Sequence, residues 1–104
     1  MIHPDIQSRM ADLVRLCIEH QVIRLHVFGS GATGEFDSGG SDLDFLVEFR
    51  PLDPERHTEA YFGLLGELGE LFSCDIDLVE MAGVRNRFVR ESIEKHKVEL
   101  YAAA

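Results

Sequence analysis

Apolar residues recur at three- and four-residue steps through Ile6, Met10, Leu13, Val14, Cys17 and Ile18, the period of an amphipathic helix. Pro4 stands where a first helical turn tolerates it, so the spacing predicts one helix of about four turns. Val22 to Phe28 is a β-rich run that stops at Gly29. From Gly29 to Ser41 the pattern dissolves into small and acidic residues, with five glycines in thirteen positions. This stretch reads as a loop with room for one helical turn. Leu43, Phe45, Val47 and Phe49 then alternate with Asp42, Asp44, Leu46 and Glu48, a strand with one apolar face. Pro51 and Pro54 close it. Tyr61, Leu64, Leu65, Leu68, Leu71 and Phe72 mark a second amphipathic helix, weakened by Gly63, Gly66 and Gly69. Cys74 to Val79 reads as a third strand, Val84, Phe88, Val89 and Ile93 fit a last helix, and Val98 to Tyr101 a short fourth strand. The order is α-β-β-α-β-α-β. It predicts an α/β (α+β) fold, a small mixed sheet of three to four strands with helices packed on it.

With 104 residues the expectation is a single domain spanning 1–104 with one core. Nineteen Asp and Glu stand against ten Lys and Arg, a net charge of −9. That excludes a broad basic face for direct nucleic-acid binding and an anionic-membrane binder. No apolar run approaches the length of a membrane span, and Met1 to Met10 lacks the apolar core of a signal peptide. Cys17 and Cys74 show no metal-finger spacing and read as small buried hydrophobes of a reducing compartment. The expected location is cytoplasmic.

Two constellations compete for the glycine-rich loop. Gly29, Gly31 and Gly34 spell G-x-G-x-x-G after a strand, and Glu48 lies near the position of a dinucleotide fold's ribose acid. That fingerprint needs a crossover helix after the third glycine. The residues Glu35 to Ser41 have no apolar periodicity and include Gly39-Gly40, so the dinucleotide reading fails. The second constellation is Gly29-Ser30 at a strand end, Ser41-Asp42-Leu43-Asp44 at the next strand's start, and Asp75-Ile76-Asp77 on a later strand. Alternation puts Asp42 and Asp44 on one face, opposite Leu43 and Phe45. Two carboxylates ~4 Å apart repel by roughly 4 kcal/mol at an effective dielectric near 20. Converging strands would therefore build a site that calls for a cation. Hard oxygen ligands suit Mg²⁺, which binds through a few carboxylates plus substrate phosphates. Backbone N–H groups around Gly29, Ser30 and Gly31 could cradle a phosphate, and metal beside phosphate is the equipment of in-line nucleotidyl transfer.

Gly29-Ser30, Asp42-x-Asp44 and the later Asp77 resemble the nucleotidyltransferases of the DNA polymerase beta superfamily. The shortness of the chain is similar to the minimal nucleotidyltransferase (MNT) group, whose members include antitoxins paired with HEPN-domain toxins. The likeness runs from Leu25 through Tyr101. It implies the polymerase beta-like fold, with Asp42, Asp44 and Asp77 as catalytic residues and metal ligands. It also implies two Mg²⁺ ions, with Mn²⁺ as a substitute, and Gly29, Ser30 and Ser41 binding the nucleotide. The activity it implies is transfer of a nucleotide, AMP from ATP, to a hydroxyl. The implied acceptor is a tyrosine of a cognate HEPN toxin, the chain being the antitoxin of a type VII-like pair. Two alternatives stand beside this: an antitoxin that neutralises its toxin by binding alone, and a nucleotidyltransferase acting on a small molecule such as an antibiotic. The chain departs from the family twice. Eleven residues, Gly31 to Ser41, separate Ser30 from Asp42, one more than usual, and Thr33 stands where a basic residue is frequent. Arg50 or an arginine of the last helix is a candidate to replace that basic contact. Asp75 reads as a solvated neighbour, and the five histidines show no ligand spacing. Arg85, Arg87, Arg90, Lys95 and Lys97 read as a solvated helix face.

Overall fold

The computed structural model describes residues 2–33 and 42–104. Gly34, the Gly39-Gly40 bend and Ser41 lie outside the described residues, as do the side chains of Ser30 and Thr33. The elements run α1 (Pro4–Gln7), α2 (Met10–Glu19), β1 (Val22–Phe28), α3 (Ser30–Thr33), β2 (Leu43–Phe49), α4 (Pro54–Phe72), β3 (Ile76–Val79), a 3₁₀ turn (Met81–Gly83), α5 (Arg87–His96) and β4 (Val98–Ala102). Apart from the one-turn α3 and a divided first helix, this is the order the hydrophobic pattern predicts.

The four strands form one mixed sheet in the order β3-β2-β1-β4. β1 runs antiparallel to β2 and β4, and β2 runs parallel to β3. A parallel pair cannot be joined by a hairpin. The nineteen residues of α4 supply the crossover between β2 and β3. Asp53 caps α4, its carboxylate accepting from the Arg56 N–H at 2.9 Å, and Pro54 occupies the first turn, where its missing N–H costs nothing. The proline that ends the strand pattern in the sequence therefore opens the next helix. Ser73 ends α4 in a left-handed conformation with φ 53°.

α2 and α4 cover one face of the sheet. Leu13, Leu16 and Cys17 from α2 and Leu64 and Leu68 from α4 meet Leu25, Val27, Leu43, Phe45 and Val47, all buried. Leu65 and Leu71, expected in the core, are half-buried at its edge, and so is Cys74. The first helix breaks at Ser8 and Arg9 because Ile6 must leave the α2 stripe to reach the core. Ile6 seats against Gly31, where a Cβ would lie 3.2 Å from its Cδ1 and 2.9 Å from Val27 Cγ2. The His3 N–H donates to the Gly31 carbonyl at 3.1 Å. Gly31 is thus needed for packing. The opposite face of the sheet carries Asp44, Leu46 and Glu48 and is left open by α2 and α4. Among the described residues no helix is long and apolar enough to cross a membrane.

Candidate active site

Two neighbouring strands bring the predicted carboxylates together. β2 and β3 pair Leu43 with Ile76, Asp44 with Asp77 and Phe45 with Leu78. Phe45 is fully buried and Leu78 nearly so, which turns Asp44 and Asp77 side by side onto the open face. Their Cα atoms sit one strand spacing apart, about 4.8 Å. Asp42 leads into β2 on the same side, where the Leu43 N–H donates to the Asp75 carbonyl at 3.1 Å. Asp75 and Asp77 are both exposed. On the other flank, Phe28 pairs with Asp44, so the turn after β1 lies beside the same carboxylate.

That turn requires glycine. Gly29 adopts φ +65°, and a Cβ there would lie 2.6 Å from Asp44 Oδ2. The Asp44 carboxylate therefore lies directly against the Gly29 backbone, with Asp77 on its other side. The consequence is electrostatic. Burial first, then the charge of Asp77 and a hydrogen bond with it, then the charge of Asp42, push the Asp44 carboxyl up to about 6. Asp44 and Asp77 are in hydrogen-bond contact, with Asp42 close enough to act through its charge, and among the described residues no cation pairs with them. Hard carboxylate oxygens of this kind fit Mg²⁺ or Mn²⁺, although the three do not bring one oxygen each within 4.8 Å of one another.

Further along the open face, toward the Phe49 end of β2, is a cavity of about 650 Å³ lined in part by His26, Leu46, Glu48, Glu80, Lys97 and Glu99, with none of Asp42, Asp44 and Asp77 in its wall. The next row of the ladder pairs Leu46 with Val79 and with His26, which in turn pairs with Glu99. His26 is held below its ordinary pKa, chiefly by burial and next by the ammonium of Lys97. His57 meets Glu80 at 2.8 Å on the cavity wall.

Among the sequence-predicted residues, Asp44, Asp77 and Gly29 stand together, with Asp42 leading into the same strand near Asp44. Ser30 opens α3 immediately beyond Gly29, and Ser41 is outside the described residues. Arg50 and Arg90 are not placed to supply the missing basic contact, and Arg87 of the last helix lies over the Phe88 ring and meets Glu91 at 3.8 Å. Arg50 follows Phe49 at the far end of β2, six residues and about 20 Å of strand from Asp44. Arg90 is committed elsewhere, its guanidinium donating to the carbonyls of Met81 and Val84 at 2.8 and 2.9 Å. The histidines are not all without ligand geometry. Glu19, His20 and Glu67 hold ligand atoms within 4.8 Å of one another, at the end of the sheet away from Asp44. Glu67 lies 47 residues from His20 in sequence, so no local spacing could reveal this cluster. There the His20 imidazole lies on α4 where Gly63 leaves room, a Cβ being only 2.8 Å from its Cε1, and its hydrogen bond to Glu67 ties the end of α2 to α4.

A carboxylate trio over a glycine turn at one end of a mixed sheet defines the class of a metal-assisted phosphoryl or nucleotidyl transferase. Residues 12–100 match the nucleotidyltransferase domain family. The chain belongs to that family and is a nucleotidyltransferase. It is 30% identical over 93 residues, 85% of this chain and 91% of the other, to the Methanocaldococcus jannaschii protein named "Putative protein adenylyltransferase MJ0128". A solved structure described as a "putative minimal nucleotidyltransferase" superposes with a TM-score of 0.75 at 30% identity, covering 94% of this chain and 95% of that one. A tri-AMPylated Shewanella oneidensis HEPN toxin in complex with its MNT antitoxin matches with a TM-score of 0.63 at 18% identity, over 93% of this chain and 72% of that one. At that identity the last likeness is one of fold.

Proposed function

We propose that the chain transfers AMP from ATP to a hydroxyl of a partner protein, a tyrosine of a HEPN-type toxin, and thereby acts as an antitoxin. The observation that carries the chemistry is the Asp44 carboxylate set between Asp77 and the Gly29 turn. Phosphate and cation sites are then one site. Asp42, Asp44 and Asp77 would hold Mg²⁺, which supplies charge neutralisation for the triphosphate. The left-handed turn at Gly29 presents backbone to the phosphates, and Ser30 follows it. Asp77, exposed at the rim, is placed to orient the acceptor hydroxyl and take its proton. The acceptor oxygen bonds to the α-phosphorus as the bond from that phosphorus to the bridging oxygen breaks, releasing pyrophosphate. The protein named for adenylyl transfer and the AMPylated toxin complex support AMP and a protein acceptor over a small molecule.

The test is label transfer from ATP carrying a radioactive α-phosphate, with Mg²⁺ and the protein encoded by the adjacent gene. Labelled partner is expected with the wild type, falling by at least about 100-fold in Asp44→Asn. A partner that binds stoichiometrically yet never takes label would establish inhibition by binding alone.

A further inference from the structure

An active site that holds a triphosphate beside three carboxylates needs fixed positive charge, and the sequence offers none in the glycine loop. The strand register shows where such charge stands. β4 runs antiparallel along the outer edge of β1, with Val98 opposite Val27. Lys97 therefore flanks Phe28, the last residue of β1, at the same end of the sheet as Asp44. Leu100 points into the core while Glu99 lies toward His26 at 3.9 Å, and Lys97 shares the parity of Glu99. Its side chain is only 25% exposed and its Nζ meets Glu94 Oε2 at 3.0 Å. Lys97, His26 and Glu94 all line the cavity on the open face, so the ammonium lies on the same face of the sheet as the aspartates, between them and that cavity's far wall at Arg24 and Glu48. Across the sheet, Asp77, Asp44, Phe28 and Lys97 form one row. Two strand spacings, about 10 Å, separate the backbones of Asp44 and Lys97, with Phe28 between them and the Gly29 turn following it.

This order along the row has a chemical sense. The reacting α-phosphate must lie by the carboxylates. Phosphates beyond it, passing the Gly29 turn, run toward β4. We infer that Lys97 binds the β- and γ-phosphates of the nucleoside triphosphate, exchanging Glu94 for them, and so holds the departing pyrophosphate. This assignment rests on the nucleotidyl-transfer reading above. Arg24 cannot take the role, because it stands opposite Glu48, four residues along β1 from the Phe28–Asp44 pair.

The experiment is calorimetric titration, with Mg²⁺, of the ATP analogue carrying a methylene between its α- and β-phosphates, alongside AMP. The analogue is expected to bind wild type more tightly than AMP. Lys97→Gln should weaken the analogue roughly tenfold, the size of one charge-assisted hydrogen bond, while leaving AMP within twofold. Lys97→Arg should recover most of the loss. Glu94→Gln removes the competing carboxylate and should tighten the analogue. If Lys97→Gln binds the analogue as wild type does, the Lys97 assignment is overturned and the nucleotidyl-transfer reading stands. If Lys97→Gln and Glu94→Gln weaken it alike, the pair only secures α5 to β4, and the assignment is likewise overturned. A wild type that binds neither nucleotide overturns the transfer reading and Lys97 with it.

Discussion

Gly29 and Asp44 constrain each other through 2.6 Å of space that only a hydrogen can occupy. Replacing Gly29 with alanine asks an L-residue to hold φ +65°, which costs about 1–2 kcal/mol. It also drives a methyl into Asp44 Oδ2. Gly29→Ala is therefore expected to melt at least about 4 °C lower and to lose metal binding, because the displaced carboxylate leaves its neighbours; thermal melts with and without Mn²⁺ check both. The Asp44 carboxyl itself makes a second expectation, about pH. Its folded pKa, about 6, lies above the ordinary value of 3.8, so the folded protein binds this proton more tightly than the unfolded chain does. The stability it contributes is fully present below about pH 4 and is lost as pH rises through about 6. Asp44→Asn removes that titration. In metal-free buffer the variant should be more stable than wild type at pH 7.5, with the difference closing toward pH 4. Equal melting temperatures across that range would mean that Asp44 is not crowded as described.

At the scale of elements, α5 is the weakly held one. Of its ten residues only Ile93 is buried, while Phe88 is 69% and Val89 48% exposed. Its start depends on Asn86, whose side chain accepts from the N–H groups of Phe88 and Val89 at 2.9 and 3.2 Å. Asn86→Ala should cost about 1 kcal/mol, and hydrogen exchange should show it as faster exchange in α5 with β1 unchanged. Since the Lys97 N–H donates to the Ile93 carbonyl at 2.8 Å, triphosphate affinity should fall with it. The strands were legible because alternation is a local property: β1 and β2 begin and end where the pattern places them, and the parity of Leu43 and Phe45 already sets Asp42 and Asp44 on the opposite face. Helix ends were less so. Pro54 reads as a strand stop until Asp53 is seen to cap α4, and the break after α1 depends on where Ile6 packs, a contact with Gly31 that no periodicity contains. Register was not legible at all. That Asp44 faces Asp77, that β4 lies beside β1, and that Lys97 reaches the same row as Asp44 follow from long-range pairing. The basic stretch from Arg85 to Lys97 therefore looked uniform in sequence, although Lys97 faces a cavity and Arg90 closes a turn.

For the molecule as a whole, a net charge of −9 means that any added salt should stabilise it somewhat by screening. That general effect has to be separated from occupancy of the aspartate site. Mn²⁺ and NaCl at matched ionic strength screen alike, but only Mn²⁺ can bind the folded site. Binding at 100 times the dissociation constant adds about 2.7 kcal/mol, and each kcal/mol shifts a domain of this size by roughly 4 °C or more. Mn²⁺ is therefore expected to raise the melting temperature by several degrees beyond the matched NaCl control. Asp44→Asn should abolish that excess and keep the NaCl response. His20→Ala, which breaks the Glu19–His20–Glu67 cluster at the other end of the sheet, should retain the excess. Protons compete with the cation for Asp44, so the excess should shrink as pH falls from 7.5 through about 6. If Mn²⁺ does no more than matched NaCl, the three aspartates do not form a cation site. If the excess follows His20 instead of Asp44, the cation is held by the opposite end of the sheet.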